Sequence, residues 1–352
     1  LGISFYTFQS MSYTIDVYLG NVKANRNIIQ YGSFVTMFPQ LVAGPIVRYR
    51  DIETEMNNHK IDLDGFVYGI KRFIIGLAKK VIIANSMAVV ADKIFALPFN
   101  ELSTGVAWLG IMAYSLQIYF DFSGYSCMAI GMGKMIGFNF PENFNYPYIS
   151  QSIQEFWRRW HITLSTWFRD YLYIPLGGSK KNNLITIRNL VIVFFLCGLW
   201  HGAEWNFIIW GLYMGFFLVL ERTRFKKMLN NTPALLRIAY MNIVIMFGWV
   251  LFRSDGLSDA LQYFSVLFGR GEARTQLSFI GQLVTAETAI IFITGIILST
   301  PVFIWAQNNI KKYFKNSNIT NVVFLFVLII LFIVCTMKLA SGTYNPFIYF
   351  RF

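Results

Sequence analysis

Val322 to Leu339 is apolar almost throughout and carries no charge before Lys338, and this run constrains the fold more than any other feature of the sequence. A helix needs about 20 such residues to cross a bilayer, and in hydrocarbon its backbone amides must be satisfied within the element itself. The rest of the composition points the same way. Hydrophobic residues make up 55% of the 352-residue chain and charged residues only 14%, with a mean hydropathy of +0.49; a soluble domain carries about 25% charged residues. An ordinary soluble enzyme is excluded. The expectation is a single polytopic, all-α membrane domain over residues 1–352.

The net charge of +12 needs no nucleic-acid partner, because basic residues of membrane proteins gather in loops facing anionic lipid. Cys127, Cys197 and Cys335 are far apart, each with apolar neighbours and no CxxC spacing, so neither a disulfide framework nor a zinc site follows. The chain begins at Leu1 with no leader pattern and reads as an internal piece of a longer protein, with further spans before it.

Two more spans are expected, over Ala286 to Ala306 and Ile238 to Phe252. They separate the basic loops at 222–227 and 311–315 (Lys311, Lys312, Lys315), which places both loops on one face, the cytoplasmic one by the positive-inside rule. Elsewhere polar groups interrupt apolar stretches, a costly arrangement in lipid unless they face protein or a water-filled cavity. Asn189 to Glu221 fits one tilted span or two short ones around a polar centre at His201 to Asn206. Thr104 to Phe138 is interrupted by Gln117, Asp121, Ser123, Gly124 and Ser126. In Phe34 to Val47, Pro39 and Pro45 cannot share an unbroken helix, so a re-entrant or broken segment is expected, shaping a cavity. Glu155 to Tyr173 cannot cross lipid; Trp157, Trp160 and Trp167 recur near helical spacing with arginines on another arc, which fits an interfacial or internally buried amphipathic helix. No internal repeat or low-complexity linker is present.

Only three histidines are available as a neutral-pH base. His59 lies in a polar loop and is expected to be solvated. His161 follows two arginines in the aromatic segment, and His201 lies inside an apolar run, where an ionisable group marks a functional site unless it is a satisfied structural residue. There is no GxSxG elbow, HExxH helix, Walker loop or kinase motif set, and Gly131, Gly133 and Gly137 miss the dinucleotide-binding spacing. A histidine in a broken helix beside a cavity suits proton abstraction from a hydroxyl, as in acyl transfer to an alcohol. It suits a proton-coupled transporter equally well.

Five blocks carry a family resemblance: Phe38-Pro39-Gln40-Leu41-Val42-Ala43-Gly44-Pro45-Ile46, Tyr119-Phe120-Asp121-Phe122-Ser123-Gly124-Tyr125-Ser126, Phe156-Trp157-Arg158-Arg159-Trp160-His161, Trp167-Phe168-Arg169-Asp170-Tyr171 through Gly178, and Trp200-His201-Gly202-Ala203. Together with the ending Tyr344-Asn345-Pro346-Phe347-Ile348-Tyr349-Phe350-Arg351-Phe352, they resemble the membrane-bound O-acyltransferase family, specifically its alginate O-acetyltransferase (AlgI-like) branch. The resemblance runs over nearly the whole chain, in order, but lacks the N-terminal spans the branch usually carries. It implies a ring of helices around a central tunnel in the plasma membrane, with re-entrant and interfacial helices. The acyl donor would enter from the cytoplasm and the acceptor from the other face. His201 matches the family's essential histidine and His161 a second, more variable motif histidine that helps to position substrate. The implied acyl group is acetyl, from acetyl-CoA as a substrate with no tightly bound cofactor or metal. It passes toward an extracytoplasmic polysaccharide, often through an SGNH-hydrolase-like partner. The branch commonly has an aspartate where this chain has Cys127.

His201 is accordingly the expected base, beside a low-dielectric wall of Leu199, Trp200 and Trp205 that favours neutral imidazole. A covalent acyl-histidine is an open alternative. Glu204, three residues on, either orients the ring from the same helical face or faces solvent at a helix end. Arg158, Arg159 and Arg169 either bind coenzyme A phosphates through bidentate forks or pair with Glu155, Asp170 or lipid headgroups. Asp121 is either a buried structural acceptor or a tunnel residue. The competing functions are a non-catalytic acyl conduit and an acyltransferase for another group, such as D-alanine onto teichoic acid.

Overall fold

The structure is a computed structural model and describes residues 3–41, 44–270, 275, 277–313 and 317–342. Among these every regular element is helical. In chain order the helices are α1 (Ile3–Tyr18), α2 (Ile28–Val35), α3 (Tyr49–Asn57), α4 (Leu63–Ala78), α5 (Asn85–Phe95), α6 (Thr104–Met135), α7 (Ile153–Arg159), α8 (Ile162–Phe168), α9 (Asn183–His201), α10 (Trp205–Leu220), α11 (Phe225–Asn230), α12 (Ala234–Arg253), α13 (Leu257–Leu267), α14 (Leu277–Leu283), α15 (Ala286–Leu298), α16 (Val302–Tyr313) and α17 (Ser317–Ala340). Four described stretches are long and apolar enough to cross a membrane: Leu63–Phe95, Asn183–His201, Ala234–Arg253 and Thr320–Ala340. The protein is an all-α, polytopic membrane protein.

Leu63–Phe95 is a membrane-length helix that the apolar-window reading passes over. Lys71, Arg72, Lys79 and Lys80 dilute its hydropathy, yet inside the protein three of them have partners. Arg72 pairs with Glu142, Lys79 Nζ donates to Cys127 Sγ at 3.4 Å, and Lys80 Nζ meets Asp121 at 2.6 Å. A π-helical turn, Lys79–Ala84, joins α4 to α5 without interrupting the rod. Asp62 starts it, its carboxylate accepting from Gly65 N at 2.6 Å.

The rod lies against α6 along a glycine seam. A Cβ on Gly69 would stand 2.5 Å from Gly131 O, and one on Gly76 would stand 2.6 Å from Gly124 O. Only hydrogen fits at these crossings, so the two backbones approach as closely as small residues allow. With α4 covering one side, α6 runs unbroken through 32 residues. The polar residues that interrupt its apolar sequence, Gln117, Asp121, Ser123 and Ser126, are all buried in protein, as such groups must be.

Other expectations change in detail. Ala286 to Ala306 is two helices: α15 stops at Leu298, and Pro301, which lacks an amide proton and clashes with a preceding carbonyl, stands at the start of α16. Glu155 to Tyr173 is likewise broken, into α7, α8 and a π-turn at Arg169–Tyr173. It is internally buried, with Phe156, Trp160, His161 and Trp167 all inside the core. Asn189 to Glu221 resolves into the two-helix alternative. Pro39 sits in a 3-10 turn, Phe38–Gln40, that follows α2, so the two-proline segment is broken as expected. Val42 and Ala43, Lys315 and the ending Tyr344 to Phe352 lie outside the described residues. His59 is exposed, and its ring centroid lies 5.0 Å from that of Phe138.

Candidate active site

The centre of the protein is built from two helix breaks. His201 is the last residue of α9, and Gly202 follows with extended backbone. A Cβ at Gly202 would fall 2.4 Å from the Phe207 ring, so a glycine lets α10 fold back closely against α9. The His201 ring then stands edge-on to three aromatics: Trp200 at 4.6 Å, Trp210 at 5.1 Å and Phe252 at 5.1 Å between centroids.

The second break puts His161 between α7 and α8 with φ 43° and ψ 54°. A non-glycine residue in this left-handed region costs about 1 kcal/mol or more, and such strain persists where the surroundings over-determine the backbone, often at functional sites. His161 is only 2% exposed, and its ring meets Phe122 edge-on at 4.6 Å. Burial, with the His201 ring next in effect, holds its imidazole well below the ordinary histidine range, so it is neutral.

Both histidines line one pocket of about 30 Å³, room for a water molecule or two. Trp157, Trp160, Trp210, Trp249 and Phe252 form its aromatic walls, with Ile118, Phe122 and Leu164 between them. Among the described residues, Trp157 Nε1, Trp210 Nε1 and His161 Nε2 are buried with no hydrogen-bond partner. Buried polar groups left in that condition cost free energy, and three of them around one cavity mark a site that a polar group completes.

The remaining sequence candidates fall elsewhere. Trp200 stacks on Phe8 at 5.4 Å and backs His201 without lining the pocket. Leu199 and Trp205 are exposed, Trp205 by 71%, so of the expected apolar wall Trp200 stays beside His201, and Trp210 and Phe252 take the places of the other two. Glu204 is exposed at the start of α10. Because Gly202 ends the helix, Glu204 does not share a helical face with His201 and does not orient its ring. Asp121 is buried and ion-paired with Lys80 at 2.6 Å, a partner the sequence reading did not name, and it does not line the pocket.

Arg158 is exposed, while Arg159 donates to Glu155 at 2.9 Å and to Asn145 O. Arg169 meets Asp170 at 2.7 Å, and Asp170 also receives Arg48 at 2.7 Å and Arg50 at 2.8 Å. Arg50 reaches on to the buried Asp16, and Arg48 to Asp51. Burial alone would raise the Asp170 pKa, but Arg169 and Arg48 outweigh it and hold the carboxyl below its usual value. Three arginines against three aspartates is a balanced ionic cluster, and it fastens the α1 and α3 ends to the π-turn. Arg159 and Arg169 thus have carboxylate partners, and neither they nor Arg158 lines the pocket.

Sequence reasoning missed Trp249 and Phe252, which lie on α12 far along the chain, and Asn143, which contacts His161 from a stretch notable only for its Pro, Asn and Tyr content.

The membrane-bound O-acyltransferase family model matches residues 3–253, a span ending one residue beyond Phe252. The chain belongs to this family, and it is a membrane O-acyltransferase. It is 42% identical over its whole length to 75% of an Azotobacter vinelandii protein named "Probable alginate O-acetylase AlgI". Over 76% of the chain it is 40% identical to 56% of the peptidoglycan O-acetyltransferase of Helicobacter pylori. Over 72% of the chain, identity is 32% to 67% of the teichoic acid D-alanyltransferase of Bacillus subtilis.

Proposed function

We propose that the protein moves an acetyl group from acetyl-CoA, presented on the cytoplasmic side of the plasma membrane, to a hydroxyl of an extracytoplasmic polysaccharide, with His201 as base and His161 in an auxiliary role. One observation carries the reading: among the described residues, the two histidines are the only titratable side chains lining the pocket. In the step proposed, His201 takes the proton of the acceptor hydroxyl and the oxygen attacks the thioester carbonyl carbon. The C–S bond of the tetrahedral intermediate then breaks, and the proton passes from His201 to the departing thiolate. The oxyanion needs a donor; the indole N–H of Trp210, edge-on to His201 and without a partner, is a donor only.

The lining also favours acetyl over D-alanyl. A D-alanyl thioester carries an ammonium, and among the described residues no carboxylate lines the pocket to meet it; a buried unpaired charge is expensive. On the extracytoplasmic side, an SGNH-hydrolase-like protein is the proposed recipient or relay of the acetyl group.

The test is transfer of label from radiolabelled acetyl-CoA in membranes that hold the full-length protein and its secreted partner. Replacing His201→Ala at matched protein level should lower transfer by about a hundredfold or more. Unchanged transfer in the variant would remove His201 from the chemistry.

A further inference from the structure

Asn143 precedes α7 and is completely buried. Its Oδ1 stands 3.2 Å from Thr163 N, 2.9 Å from Thr163 Oγ1 and 3.1 Å from His161 Nδ1, while its Nδ2 donates to Ser126 Oγ at 3.1 Å. The amide orientation is not arbitrary. A backbone N–H can only donate, so the Asn143 atom facing Thr163 N has to be the oxygen. The Thr163 hydroxyl accepts from Ile46 N at 3.0 Å, which leaves its own proton for Asn143.

An amide oxygen only accepts, so the imidazole nitrogen facing it must carry a proton. In a neutral ring that leaves Nε2 bare. Nε2 is the nitrogen of His161 that is buried without a partner, on a residue lining the pocket. We propose that Asn143 is a positioning residue that holds His161 as the Nδ1–H tautomer, so that the pocket receives a bare Nε2 acceptor instead of an N–H donor. Its catalytic meaning rests on the acyl-transfer reading above. In this tautomer His161 cannot donate to the oxyanion, which leaves that task to an indole N–H. What it can do is accept a hydrogen bond from a hydroxyl of the incoming acceptor and so hold that group beside His201. The left-handed backbone at His161 fits this role, since it presents the ring to Asn143 and to the pocket at once.

The test is side-chain ¹⁵N NMR of the full-length protein in detergent, with histidine labelled and the His161 signals assigned by their loss in His161→Gln; residues 1–352 contribute His59, His161 and His201. At neutral pH the wild type should show His161 protonated at Nδ1 and bare at Nε2. Asn143→Ala should move the proton to Nε2 and lower acetyl transfer by about a hundredfold. Asn143→Asp, which keeps an acceptor opposite Nδ1, should keep the tautomer and recover most of the transfer. Protonation at Nε2 in the wild type, or persistence of the Nδ1–H form in Asn143→Ala, would overturn the proposal. If the alanine variant does not fold, the wild-type and aspartate spectra still decide. The spectrum needs no turnover, so a wild type that transfers no acetyl would sink the proposed function and leave this assignment standing.

Discussion

Trp210 joins two properties seldom found in one residue of a packed core: it is 1% exposed, and the only polar atom of its side chain has no partner among the described residues. As an oxyanion donor it would be costly in the resting protein and useful at the moment negative charge forms. Trp210→Phe keeps a ring against His201 and removes the N–H. The expected outcome is a normally folded protein with transfer reduced by about a hundredfold, measured with labelled acetyl-CoA; full activity would place the donor elsewhere. Asp170 supports a different prediction, about pH and stability. Its carboxyl is held below its unfolded-state value, so its contribution is complete above the unfolded pKa and is lost as pH falls through the lower, folded value. Thermal unfolding in detergent should therefore show Asp170→Asn less stable than wild type near neutrality. The gap should close in acid as the wild-type carboxylate takes up its proton.

The glycine seam between α4 and α6 fixes how closely two long helices approach. At Gly76 an added methyl would meet Gly124 O at 2.6 Å and Met128 N at 2.7 Å, both backbone atoms that cannot move aside alone. Gly76→Ala should cost about 1–3 kcal/mol by overpacking, read as a lower unfolding temperature. Gly105→Ala, in the first turn of α6 with nothing within 4 Å of its Cβ, should leave that temperature nearly unchanged. Legibility at this scale depended on whether a signal was local. Thr320–Ala340 was readable because nothing interrupts its apolar run. Leu63–Phe95 was not, because Lys79, Lys80 and Arg72 look prohibitive until Cys127, Asp121 and Glu142 are placed beside them by the fold. Glu204 was left between two places for a related reason, since spacing puts it beside His201 only if the helix continues; Gly202 ends it, and Glu204 takes the solvent-facing place at a helix end.

Across the whole molecule, the histidines were legible because so few residues of this chain can act as a base. Their surroundings were not, since Trp249, Phe252 and Asn143 reach the pocket by tertiary packing that no periodicity announces. The family match and the pocket nevertheless close at nearly the same point of the chain, residue 253 and residue 252. The pocket takes its lining from α6, the His161 break, α9, α10 and α12, a spread from Ile118 to Phe252. A growing chain therefore inserts its early helices before the pocket has all its walls, and Trp249 and Phe252 join the lining only when α12 arrives. Until synthesis has passed Phe252, the unfinished protein lacks one wall of the pocket that the two histidines share.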